Sequence, residues 1–141
     1  MKEARVMKEA VLSLQGLSVS RGSQLILDQV DFDLQHGEFV ALLGPNGVGK
    51  STFIDCASAE LVQDRGQVLL DGRHLQSVPL AERAKILAVL PQQSTLQFPF
   101  LVEEVIALGR FPHRSGAEQD KLIVNAVSEA LAVDHLLLTA R

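Results

Sequence analysis

Gly44-Pro45-Asn46-Gly47-Val48-Gly49-Lys50-Ser51-Thr52 fits the spacing Gly-x-x-x-x-Gly-Lys-Ser/Thr and follows directly on the apolar run Phe39-Val40-Ala41-Leu42-Leu43. Phosphate groups need donors converging from several directions, and glycines let successive backbone N–H groups turn inward with no Cβ in the way. Lys50 adds a point charge. Ser51 stands where a helix begins, its hydroxyl placed to ligate Mg²⁺ while the free N–H groups and dipole of the first turn face the phosphates. A glycine-rich turn that merely joins a strand to a helix is the competing reading, and the flanks argue against it. The apolar run before the loop suits a parallel strand covered on both faces, and Phe53, Ile54 and Ala57 recur at helical spacing after it.

Upstream of this unit, apolar and small polar residues roughly alternate from Val11 to Val19, with Gly16 interrupting, which predicts a strand with a bulge. Val30, Phe32 and Leu34 alternate with Asp31, Asp33 and Gln35, a half-buried antiparallel strand, and His36-Gly37 reads as the turn after it. Downstream, Asp71-Gly72 between Val68-Leu69-Leu70 and Arg73-His74-Leu75 signals a tight hairpin. Pro79 to Lys85 predicts a short helix, and Ile86 to Leu90 a second buried strand ended by Pro91. Val102, Val105 and Ile106 with Glu103-Glu104 predict a short amphipathic helix stopped by Gly109 and Pro112. Leu122, Ile123, Ala126, Val127, Ala130 and Leu131 form a helical stripe opposite Lys121, Asn125, Ser128 and Glu129.

With 141 residues, 47% hydrophobic and 21% charged, the chain has the length and composition of one globular domain. A net charge of −4 gives no general electrostatic reason to bind nucleic acid, so no nucleic-acid partner is expected. No apolar run approaches the roughly 20 residues of a membrane-spanning helix. Residues 1–10 carry no apolar core of a secretory signal and read as an N-terminal extension, whose repeated Met-Lys-Glu-Ala offers a second start at Met7. The single cysteine, Cys56, falls in the helix after the loop and reads as a packed, reduced thiol, which with the rest assigns the cytoplasm. His36, His74, His113 and His135 show no metal-ligand spacing and read as turn or surface residues.

Gly-Pro-Asn-Gly-x-Gly-Lys-Ser-Thr, followed by Gly66-Gln67-Val68-Leu69-Leu70-Asp71-Gly72 and then Leu90-Pro91-Gln92-Gln93, resembles the ATP-binding subunit of ABC transporters in both order and spacing. Leu90 to Ser94, Phe98-Pro99-Phe100, Val102 to Val105 and Ala107 to His113 look like the haem (hemin) importer branch, close to those for ferric siderophores and cobalamin. The resemblance implies an α/β, P-loop NTPase fold of the ABC type: an N-terminal antiparallel β subdomain, a parallel-sheet core and the start of the helical subdomain. In that frame residues 11–141 are a partial nucleotide-binding domain, with 11–91 its β subdomain and P-loop core and 92–141 its Q-loop and helical start.

The resemblance further implies ATP and Mg²⁺ as cofactors. Gly44, Pro45, Asn46, Gly47, Val48, Gly49, Lys50, Ser51 and Thr52 match the Walker A loop, and Gln92 the Q-loop glutamine, making Ser51 and Gln92 the metal-side residues. A glutamine amide suits that place, since its oxygen ligates a hard cation without adding charge. The implied partners are an integral membrane permease, a second ATP-binding subunit in a homodimer and, indirectly, a periplasmic or surface haem-binding protein, with the subunit peripheral on the inner face of the membrane. Phe98 to Leu101 is then either core or a surface that receives the permease. The adenine-stacking aromatic of the family is replaced by Arg21, in a chain with no Tyr or Trp. A guanidinium plane stacks on a base as well, so Arg21 is a candidate for that role, and a solvated loop arginine is the alternative. Val48 stands where alanine is common.

Leu-Ser-Gly-Gly-Gln or a similar signature, a strand ending in Asp-Glu, a D-loop and a switch histidine do not occur between Met1 and Arg141. The expectation is therefore a piece truncated before the signature loop, with no catalytic residue of its own and no ATP turnover alone. The missing neighbour strand should also leave a buried-type strand with an open edge. Two other classes stay open here: a non-catalytic remnant that binds only nucleotide or permease, and a soluble nucleotide kinase or GTPase, which explains the loop but not Gln92 or Phe98 to His113.

Overall fold

Leu12, Leu14, Leu17 and Val19 are all buried, although the first pair sits at even positions and the second at odd ones. The extra residue of a β-bulge resets the phase. In the computed structural model, which describes residues 10–92 and 100–138, β1 (Leu12–Arg21) pairs antiparallel with β2 (Gln24–Leu34), and their register shifts between Leu14 and Leu17. Gly16 has φ 58° there, and its N–H donates to the Asp31 carboxylate at 2.7 Å, which satisfies a group the ladder drops. The bulge expected at Gly16 is thus present, and it keeps one continuous apolar face along the strand.

On its other side β1 pairs with β3 (Arg65–Leu70), and β3 with the short β4 (Arg73–His74), giving the antiparallel order β2-β1-β3-β4. The connecting Asp71 and Gly72 have φ 47° and 71°, the paired left-handed conformation that makes Asp-Gly a two-residue hairpin turn. α1 (Lys50–Ala57) packs on this sheet. Its Phe53 meets Phe32 of β2 edge to face, ring centroids 5.4 Å apart, and its Cys56 is fully buried. α2 (Leu80–Ile86) starts after Pro79, whose carbonyl accepts from Glu82 and Arg83, both at 2.9 Å. The packed thiol, the hairpin and the proline-led helix agree with their sequence signals.

The expected parallel core is not formed among the described residues. Phe39 to Leu43 is not a strand, with Phe39 92% and Leu43 86% exposed. Ile86 closes α2, the following residues to Leu90 are irregular, and Leu90 is 93% exposed. Apolar runs become parallel strands only when ladders on their flanks satisfy the backbone. The described residues contain no strand that pairs with either segment.

The chain divides into two units, Met1–Arg83 and Ala84–Arg141. In the second, α3 (Val102–Leu108) begins where the Glu104 carboxylate reaches back to the Leu101 N–H at 2.8 Å, and Gly109 ends it. α4 (Ala117–Ala130) corrects the predicted stripe. Leu122 and Leu131 are 67% and 64% exposed, whereas Val124 and Ser128 are buried. Ser128, assigned from sequence to the polar face, donates its hydroxyl to the Val124 carbonyl at 2.7 Å. That bond removes the cost of an unpaired buried hydroxyl and lets this face turn inward. The N-terminal extension up to Glu9, the Gln93 to Pro99 stretch of the importer-like pattern and the last three residues lie outside the described residues.

Asp120 of α4 joins a closed set, accepting from Ser115 Oγ at 2.7 Å and Arg110 Nε at 2.8 Å while Arg110 Nη2 donates to Ser115 Oγ at 2.7 Å. The hydroxyl first, then the guanidinium, hold this carboxyl below the usual range. A depressed folded value means the stabilisation is present above the unfolded carboxylate range, near pH 4, and is lost as pH falls through the folded value. Asp120→Asn is therefore expected to lower thermal stability at pH 7 and to narrow its difference from the parent as the pH drops below 4. A constant difference down to pH 2 would rule this out.

Candidate functional site

Gly49 occupies the position before α1 with φ 103°, a conformation that L side chains rarely adopt. A Cβ there would also crowd β2, at 3.0 Å from Leu27 Cδ2 and 3.1 Å from Ile26 Cγ2. The loop thus lies close against β2, and a side chain at this position would be strained by its backbone and would have to push those neighbours back. The first full helical bond is Phe53 N–H to Gly49 O at 2.9 Å, so the N–H groups of Lys50, Ser51 and Thr52 have no partner inside the helix. No acidic side chain occupies that first turn. Its positive end is therefore available to an anion.

Lys50 folds its ammonium back over the loop and donates to Gly44 O and Pro45 O, both at 2.7 Å. An ammonium has three N–H donors. Two hold the loop's shape and one is left for a ligand. A cavity of ≈ 440 Å³ opens beside it, lined by Arg21, Ile26, Asn46, Gly47, Gly49, Lys50, Ser51 and Thr52. Gly44, Pro45 and Val48 shape the loop without lining the space. Of the residues picked from sequence, Arg21 is thereby brought to the same cavity as the loop, and its Nη2 lies 3.9 Å from Asp55 Oδ2 of α1. Gln92 follows Pro91 on an exposed bend in the second unit.

Sequence reasoning missed Ile26 and Asp55. Asp55 had a usable signal, since it stands four residues after Ser51 and so on the same helix face. Ile26 had none, because only the approach of β2 to Gly49 brings it there. A larger hollow of ≈ 670 Å³ lies along the β1 bulge, lined by Ser18, Ser20, Asp28, Asp31, Asp64 and Arg65 among others. Two of its carboxylates are engaged, Asp31 by Gly16 N–H at 2.7 Å and Asp64 by Ser20 N–H at 2.6 Å. Burial, then the charges of Asp55 and Asp64, push the Cys56 thiol up, which keeps it protonated. Among the described residues no group of three or more His, Cys, Asp or Glu is placed to hold a metal, and no helix is long and apolar enough to cross a membrane.

Residues 27–139 match the ABC transporter family. The chain belongs to that family. Among curated ABC relatives, it is 49% identical over 126 residues to the hemin import ATP-binding protein HmuV of Pseudomonas fluorescens, covering 89% of this chain and 49% of that protein. To the protein of the same name from Pseudomonas aeruginosa it is 47% identical over 122 residues, covering 86% and 47%. The chain thus spans about half the length of the curated relatives it matches. A solved ATP-binding subunit of an ABC transporter superposes with TM-score 0.79 at 25% identity, over 92% of this chain and 54% of that one. The inward-facing structure of a putative metal-chelate type ABC transporter shares the fold at TM-score 0.70 and 21% identity, over 93% of this chain and 49% of its own. An ABC-type α/β fold is therefore established for the chain, with the antiparallel sheet as its described β region.

Proposed function

We propose that this chain is the N-terminal part of the ATP-binding subunit of an importer for haem. The observation that carries the reading is the cavity in which Lys50, Ser51, Thr52 and the loop glycines converge at the unpaired N-terminus of α1, in a chain 49% identical to a hemin import protein. Gly44 to Thr52 bind the β- and γ-phosphates, with the Lys50 ammonium and the first-turn N–H groups as donors. Ser51, which is exposed and lines the cavity, fits a small hard cation that prefers oxygen ligands, and it would hold Mg²⁺. Such an ion supplies charge neutralisation at the phosphates. Arg21 faces the part of the nucleotide beyond them.

The partners that follow are a membrane permease, a second ATP-binding subunit and, through the permease, a haem-binding protein, with this chain peripheral on the cytoplasmic face. These 141 residues carry no signature loop and no Asp-Glu pair, so alone they bind ATP without hydrolysing it. Two measurements test the reading. Cells lacking the gene should lose haem uptake while keeping ferric-siderophore and cobalamin uptake, and loss of either of the latter instead would reassign the substrate. The purified chain should bind ATP but release no phosphate above the uncatalysed background, and steady release abolished by Lys50→Ala would show that catalysis needs nothing further.

A further inference from the structure

We draw no further inference here: the strongest candidate, the acidic hollow along the β1 bulge lined by Asp28, Asp31 and Asp64, is a cluster of exposed carboxylates, two of them already held by the backbone N–H groups of Gly16 and Ser20, and nothing among the described residues shows what it would bind.

Discussion

Replacing Lys50 by alanine is expected to weaken ATP binding about 30- to 150-fold, the equivalent of roughly 2–3 kcal/mol for losing a charged hydrogen-bond donor at a phosphate. The ammonium has two tasks, since Gly44 O and Pro45 O each take one of its N–H groups at 2.7 Å. Both contacts are exposed, so without nucleotide the variant should unfold within about 1 kcal/mol of the parent. Lys50→Arg should not rescue binding. A planar fork cannot direct two donors at adjacent carbonyls and a third at a ligand as a tetrahedral ammonium does. Equilibrium titration with a fluorescent ATP analogue checks this, and a loss smaller than about threefold would remove Lys50 from the phosphate site.

The largest stability effect is expected from Gly66→Ala, at more than about 3 kcal/mol. Gly66 has φ 83°, and an added Cβ would fall on the backbone carbonyl oxygens of Gln15 and Gly16. Those oxygens belong to the bulged stretch of β1 and cannot move away like the end of a side chain. The methyl group must push β3 off the bulge, which breaks the pairing beside Gln15–Gln67 and opens the core around Leu17. Gly72→Ala is the control. Its φ of 71° carries a similar left-handed strain, but nothing lies within 4 Å of the added carbon, so it should cost only about 1–2 kcal/mol. Urea midpoints for the two variants should differ clearly, and equal midpoints would refute the close approach of β3 to the bulge.

Local chemistry alone determined several elements of this protein. Asp71-Gly72 makes a turn because these two residues tolerate positive φ, Pro79 starts a helix with no N–H to lose, and the loop from Gly44 to Thr52 turns through positive φ at its own Gly44, Gly47 and Gly49. The bulge at Gly16 was legible too, because one glycine broke the period of two. Tertiary structure decided what depends on a neighbour. Phe39 to Leu43 has the composition of a buried strand, but composition supplies no hydrogen-bond partner, and among the described residues no strand pairs with it. Ser128 is inside because its hydroxyl finds the Val124 carbonyl, a bond that outweighs its polar character in the helical pattern. Arg21 and Asp55 are 34 residues apart in the sequence, and no motif joins them. Only the packing of α1 on the β1–β2 hairpin brings their charges together at the mouth of the loop cavity, because which side chains meet across elements is set by burial of the apolar faces between them.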